Sequence, residues 1–398
     1  TYTGPFRVDT PCRDGKRGSP IQVAFDRKAV IVPGPAGPAL SLRRAEWVLS
    51  GPFLQLSESP QPGLAIEGPS ARAVAVDRAR VAGGSGPGIR IGDGARDVTI
   101  SNSRVGKAKI ASLGPDSVGI EILGGAVRVR LRNNLLTANP GGSIRVASPP
   151  PGAAPARDLD IVGNTIRNDG STSISVAGAS NLRIVDNTLV GRSGSGETRG
   201  IVLENADHAI VRSNHLVHHA AGIVVGLADV KGGALESPRD VLIDHNELQG
   251  FSSSGVAVDL EAGKGIHFAN NFVEDFANGI LLLGKPPVLT EVVIANNLVF
   301  GVSGTAFVLA DARAASLFDY NVFSPIGNEV LAEIGGRSFS VVRILKGGGM
   351  PNSQLVAGAK IINRDLARVS GLLTVDRGTK VPGVAFEGRA PDLGVAER

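Results

Sequence analysis

Apolar residues alternate with variable ones along most of this chain, in short bursts that recur at near-regular intervals. One eight-residue pattern repeats: apolar, x, apolar, x, x, Asn, x, apolar. It reads VRLRNNLL (129–136), LDIVGNTI (159–166), LRIVDNTL (182–189), AIVRSNHL (209–216), VLIDHNEL (241–248), IHFANNFV (266–273) and VVIANNLV (292–299). SLFDYNVF (316–323) fits with Ser316 at the first apolar place, and VAVDRARV (74–81) and VTISNSRV (98–105) fit with Ala79 and Ser103 at the Asn place. The asparagines fall at 134, 164, 187, 214, 246, 271, 297 and 321. A second pattern precedes these units: GIRI (88–91), GIEI (119–122), SIRV (143–146), SISV (173–176), GIVL (200–203), GIVV (222–225), GVAV (255–258) and GILL (279–282).

A period of two and an abundance of Val and Ile are strand signals. Segments this short form no core alone, but stacked on like neighbours about 4.8 Å apart they bury a continuous one. The Asn lies between apolar positions of opposite parity, which marks a bend where Asn tolerates a left-handed backbone. Its side-chain amide is then placed to bond the Asn of the next coil, giving a ladder. Two strands meeting at that corner, plus the GI-x-[IVL] strand, make three parallel strands per coil. The pattern therefore predicts an all-β parallel β-helix of about eleven coils between residues 20 and 324, with loops at 106–117, 147–157, 191–199, 226–240 and 284–290. Residues 1–324 are expected to form the β-helix. Residues 325–398 break the repeat and are expected to form an irregular capping segment on the same domain. Within it SFSVVRILK (338–346) predicts one short helix with Ser338 as N-cap.

The stretch GIVLENADHAIVRSNHLVHHAAGIVVG, the opening TYTGPF, SPIQVAF and AVIVPG, and the ending FDYNVF then FEGRAPDLGVAER resemble the repeats of the pectate-lyase-like superfamily of right-handed parallel β-helices, near secreted bacterial polysaccharide lyases. The resemblance covers nearly the whole chain. It implies an exported protein (secreted, periplasmic or at the cell surface) that acts on an acidic polysaccharide by β-elimination, in a groove along the third strand and its flanking turns. The chain starts at Thr1 without an initiator Met and reads as a mature or trimmed form.

Composition narrows the chemistry. One Cys excludes an internal disulfide and a Cys-based metal site. No run of 18 apolar residues exists to span a membrane. Residues 1–150 carry 20 Lys/Arg against 11 Asp/Glu, and the remainder 21 against 26. The basic half lacks the dense clusters with interleaved aromatics of a nucleic-acid surface, while an attraction for another polyanion remains open.

Outward positions of the third strand run Ala65, Arg90, Glu121, Arg145, Ser175, then Val202, Val224, Ala257, Leu281 and Val308. The first set alternates in charge. The second is an apolar stripe that is expected to be covered by the tail or a long loop, to be buried against another subunit or partner, or to form an open apolar binding face; self-association through these five residues is one expectation. In the turn before the third strand stand Asp169, Arg192, His219, Phe251 and Phe276, with Arg199, His218 and Asp275 nearby. By the resemblance, His218 or His219 would take the C5 proton and Arg192 and Arg199 would neutralise the sugar carboxylate. Asp169, Phe251, Phe276, Asp275 and Arg145 would contact substrate. Each is equally readable as an ordinary turn or ion-pair residue. Glu204, Asp207, Asp229 and Asp259 offer oxygen ligands for Ca²⁺; otherwise no cofactor and no metal are expected. His208, His215, His218 and His219 crowd one coil, but by the repeat map they do not converge, and no H-E-x-x-H occurs. The motifs of related epimerases, polygalacturonase-like hydrolases and chondroitinase-B-like lyases are missing, as are P-loop, Rossmann and G-x-S-x-G patterns. The alternative to an enzyme is therefore a non-catalytic β-helix for glycan binding, surface attachment or envelope assembly.

Overall fold

The computed structural model describes the chain outside residues 1, 4–5, 9–13, 17, 27, 34–36, 57–59, 107–115, 168–169, 193–197, 227–236, 252–254, 326–330, 347–349, 357–360, 364–367, 370–376, 387–389 and 395–398. The described residues are almost entirely β, with one α-helix, Val341–Lys346, and one 3₁₀ turn, Ala312–Ala314. They form two compact units, Thr1–Arg192 and Ser193–Arg398. Both are built as parallel β-helices of three sheets, about eleven coils in all.

One coil of the first unit shows the plan. Leu135–Thr137 follows the asparagine corner, Ile144–Val146 is the third strand, and Ala156–Val162 leads to the next corner. Each pairs in parallel with its equivalent in the following coil, Thr165–Arg167, Thr172–Val176 and Ala179–Val185. The strands Tyr2–Thr3, Phe6–Val8 and Ile21–Ala24 add to the stack ahead of the recognised repeats, since Tyr2, Phe6 and Ile21 pair with Ile31, Leu40 and Trp47.

Inward positions are those of the repeat. In the third strands Ile89, Ile91, Ile120, Ile144, Val146 and Ile174 are fully buried, as are Ile201, Leu203, Ile223, Val225, Ile280 and Leu282 in the second unit. Each such side chain contributes roughly 1.5–3 kcal/mol. The Gly opening GI-x-[IVL] is set by space. A Cβ on Gly200 would lie 2.5 Å from the Gly222 carbonyl oxygen, and one on Gly222 2.5 Å from that of Ala257. Only small residues fit at this place.

The asparagine ladder is present in both units. In the first, Oδ1 of Asn164 accepts the Asn134 backbone N–H (3.0 Å) and Nδ2–H (2.9 Å), and Oδ1 of Asn187 does the same for Asn164. In the second, Asn214, Asn246, Asn271, Asn297 and Asn321 form consecutive rungs. Ser103 continues the ladder at its start, and Ser353, unforeseen from the sequence, ends it by accepting the Asn321 N–H. The left-handed residue of the corner is not the rung itself but the one before it: Asn133, Asp186, Ser213, His245, Asn270, Asn296 and Tyr320 all have φ of 53–61°. A second left-handed column sits six residues before the rungs from Ser103 to Asn297, including Asp97, Arg128, Asp158, Asn181, His208, Asp240 and Glu291.

Two expectations are corrected. The helix begins at Val341 rather than Ser338, because Arg337–Ser340 turns back and pairs antiparallel with Leu331–Ile334. The final residues do more than close the last coil. Val381 and Val384 pack on Ala269 and Ala295 with Leu242, Val293 and Leu317, and Leu393 packs with Phe272, Leu298, Phe300 and Val322. Asn270 donates to the Asp392 carbonyl, and Asn296 exchanges two bonds with Thr379, so this strap straddles the asparagine corner of the second unit.

Candidate functional site

Two residues of the turn column named from the sequence are core. His219 is 1% exposed and Phe276 1%, so neither presents an edge to a surface groove. Burial, with a smaller push from His218, lowers the His219 pKa to about 4, leaving a neutral imidazole. His218, at φ 61°, stacks on Phe251 with centroids 5.1 Å apart and planes 13° from parallel, and Phe251 is half-buried. Asp275, half-buried at φ 60°, occupies the His218 place on a later coil, where Gly301 makes room for its carboxylate. Asp169 lies outside the described residues. Arg192 and Arg199 are both exposed; the first ends one unit and the second begins the strand Arg199–Leu203 of the other. The structure thus gathers His218, His219, Phe251 and Phe276 in one corner, with His219 and Phe276 turned inward and His218 and Phe251 half-buried.

On the third-strand face of the first unit, Glu121, 5% exposed, bonds Arg90 at 3.0 Å and Arg145 at 2.6 Å, so the alternating charges offset one another and Arg145, also named for substrate contact, is engaged in an ion pair. In the second, register shifts one outward position. Val224 pairs with Asp259, which pairs with Leu281; Ala257 stands at the small-residue place opposite Gly222. Val202, Val224, Ala257 and Leu281 are all buried within the chain, at 9% exposure or less, and Val308 is half-buried, so the stripe is covered by the chain itself along most of its length.

Asp259 falls among charged neighbours. Its Oδ1 is buried without a hydrogen-bond partner among the described residues. Burial and the Glu261 charge raise its pKa to about 6 against the opposing pull of Arg199. Burial also raises Glu204, again against Arg199. Of the four residues named as oxygen ligands for Ca²⁺, Glu204 and Asp259 both feel the Arg199 charge, Asp207 lies with His208 and Asp240, and Asp229 is outside the described residues.

The open groove of the first unit lies elsewhere, on the strands that follow the corner. Register stacks Phe53, Arg80, Arg104 and Leu135 in one outward column, neighbours about 4.8 Å apart. A cavity of about 560 Å³ is lined by Phe25, Phe53, Ser50, Arg78, Arg80, Asn102 and Arg104. A second, of about 450 Å³, continues along the same column, floored by Ala82 and Gly106. Arg78 is bound to Asp77 at 2.8 Å and to the Ser50 hydroxyl at 2.8 Å. Against burial, hydrogen bonds from Asn102 and Ser101 and the Arg78 charge hold the Asp77 carboxyl below its usual range. Arg80 and Arg104 are exposed and have no ion-pair partner among the described residues. This contrasts with the third-strand pocket of the same unit, where Arg43 and Arg90 meet Glu67 and Glu121. Sequence reasoning missed this groove. The signal was the run Arg78, Arg80 and Arg104 beside the corner in the basic half.

A β-helix with a basic, aromatic-edged groove is the class of protein that these features define. Residues 88–229 and 157–342 match the family described as the right-handed beta helix region, together well over half of the sequence, and the chain belongs to that family. Among solved structures it is similar to PfbA, a surface adhesin of Streptococcus pneumoniae, with a TM-score of 0.52 and 12% identity over 81% of this chain and 82% of that one. It is also similar to a mutant tailspike protein of E. coli bacteriophage HK620 in complex with hexasaccharide, with a TM-score of 0.46 and 12% identity over 84% and 73% of the two chains. At such identities the likeness is one of fold. No curated protein matches the sequence.

Proposed function

We propose that this protein binds an acidic glycan through the groove of its first unit, as a surface-exposed or exported binding β-helix. The observation that carries the reading is a pair of guanidinium groups, Arg80 and Arg104, that have no ion-pair partner among the described residues, stand one strand spacing apart and are bordered by Phe53 and Phe25. A guanidinium forks onto a carboxylate or sulfate, and a Phe face gives a sugar ring an apolar platform. The net positive first half adds long-range attraction. The fold shared with a surface adhesin is consistent with this role. The test is binding to alginate, pectate, hyaluronan and chondroitin by calorimetry. Arg80→Ala and Arg104→Ala should each weaken binding by about tenfold, the worth of one charge-assisted hydrogen bond. Raising the salt to about 1 M should weaken it further. Unchanged affinity in both variants overturns the reading.

One observation favours a second reading, catalysis on the third-strand face of the second unit. Asp259, with its pKa raised to about 6, is tuned for proton transfer near neutrality. In this reading Arg199 faces the sugar carboxylate and Asp259 replaces the buried His219 as the base of β-elimination. The same polysaccharides, incubated with and without Ca²⁺, should then yield unsaturated product by ultraviolet absorbance, and Asp259→Asn should abolish it. No product on any polymer eliminates this reading and leaves the binding one intact.

A further inference from the structure

We infer, resting on the groove-binding reading above, that the acidic glycan does not end in the groove but continues over the asparagine corner onto an arginine-faced sheet of the first unit, so that the site selects long polyanionic chains over short ones. The sheet is made by the strands Arg72–Asp77, Arg96–Ser101, Val127–Arg132, Ala156–Val162 and Ala179–Val185. They pair in parallel in that order and span about 19 Å along the stack. Together they carry seven arginines, no lysine and four aspartates. Every one of these arginines is exposed and every aspartate is half-buried, so guanidinium groups form the outer layer. The same sheet in the second unit, Ala206–Arg212, Arg239–Asp244, Gly263–Ala269, Val292–Ala295 and Ala315–Asp319, carries three basic residues against four aspartates. The surplus therefore belongs to the first unit and is not imposed by the repeat.

The aspartates are already spent. Asp160 is shared by three guanidinium groups, Arg183 at 3.1 Å, Arg132 at 3.5 Å and Arg130 at 3.9 Å, and one carboxylate balances one of them. Arg128 bonds Asp97 at 2.8 Å, Asn181 bonds Asp158 at 3.0 Å, and Asp77 is held at the corner by Arg78, Ser101 and Asn102. Arg72, Arg96 and Arg157 have no ion-pair partner among the described residues. Register sets Arg72 directly beside Arg96, and like charges on adjacent strands destabilise a sheet. An anion laid across the two replaces that repulsion with attraction on both sides, since each guanidinium forks onto a carboxylate or sulfate. The arginine sheet is also continuous with the groove. Arg78 and Asn102 line the 560 Å³ cavity beside Arg80 and Arg104, and they stand at the corner directly after Asp77 and Ser101, the last residues of two of the strands. A chain that leaves the cavity over this corner meets Arg132, the register partner of Ser101. A short oligosaccharide fills the cavity alone, whereas a polymer reaches both surfaces.

The experiment is calorimetric titration of the full-length protein with alginate, pectate, hyaluronan and chondroitin, each as polymer and as tetrasaccharide. It compares the parent, the triple variant Arg72→Gln, Arg96→Gln and Arg157→Gln, and Arg104→Ala. The three substituted arginines hold no aspartate, so the triple variant should keep the parental circular dichroism. It should lose about tenfold in affinity for the polymer, the combined worth of three exposed charge contacts, and bind the tetrasaccharide as the parent does. Arg104→Ala should weaken both. Parental polymer affinity in the triple variant overturns the inference, as does an equal loss for polymer and tetrasaccharide, and in either case the groove reading stands if Arg104→Ala still weakens both. Unchanged binding in Arg104→Ala overturns the groove reading and the extended path with it. Duplex DNA bound more tightly than every glycan, and released by the triple variant, overturns the assignment of this sheet to a glycan.

Discussion

Replacing His219 by Phe should make the protein resist acid. His219 is sealed in a corner column whose next two members are Phe251 and Phe276, so Phe suits the site. Its folded pKa is depressed to about 4 by burial and by His218, whereas in the unfolded chain it titrates at the ordinary histidine value of about 6.5. Between those values the unfolded state binds a proton that the native state refuses. Stability is therefore fully present above about pH 6.5 and is lost as pH falls toward about 4. Linkage gives a loss of about 2 kcal/mol at about pH 5 and about 3 kcal/mol at about pH 4 from this one group. The assay is urea denaturation of parent and variant at neutral pH and at pH 5, followed by far-ultraviolet circular dichroism. Packing differences between His and Phe appear at both pH values and cancel in the double difference. The parent should lose about 2 kcal/mol more than His219→Phe. Equal losses, within about 0.5 kcal/mol, would mean that the native imidazole takes up its proton freely, and the buried corner would be refuted.

The ladder and the third-strand carboxyl give two further expectations. In Asn271, Oδ1 accepts two bonds from Asn246 and Nδ2 donates to Ile243, Ala269 and Asn297, so Asn271→Ala strands several buried groups and should cost about 4 kcal/mol in denaturant titration. Asn271→Ser should recover part of that, since Ser103 and Ser353 already serve as rungs. Asp259→Asn should stabilise the protein at neutral pH by about 1–2 kcal/mol once solvent screening is allowed for. Its raised pKa means the parent loses stability as pH climbs through about 6, so the gain should disappear below about pH 4; a gain that persists in acid would contradict the assigned cause.

The coil plan was legible because strand alternation and the recurring Asn are imposed by neighbours one coil away, and each is written into every repeat. Outward chemistry was less so. GVAV at 255–258 imitates the third-strand pattern, but the strand engages two residues later, exchanging Ala257 for Asp259 at the outward place. His219 and Phe276 resemble turn residues, and the chain parity that sends them inward is set by the left-handed residue before them, which any residue type can fill. The same holds for the column that joins His208 to Asp240: Ala73, Asp97, Arg128 and Glu291 share it without a common side chain. Counting six residues back from the rungs would have found it. Whether an arginine has an acidic partner among the described residues, as Arg145 does and Arg80 does not, depends on which acid its register neighbour supplies, and that follows only once the strands are aligned.

Each rung answers only to the rungs above and below it, which makes chain length a quantised property of this architecture. Excising residues 247–271 would join Asn246 to Phe272, the residue already in register with Glu247, and the seam would close with every side chain on its proper face. Excising an odd fraction of that span would turn core residues toward water along the next strand. Growth or shrinkage by whole modules is therefore the change such a sequence absorbs most readily, and variation within a module is confined to the excursions between strands.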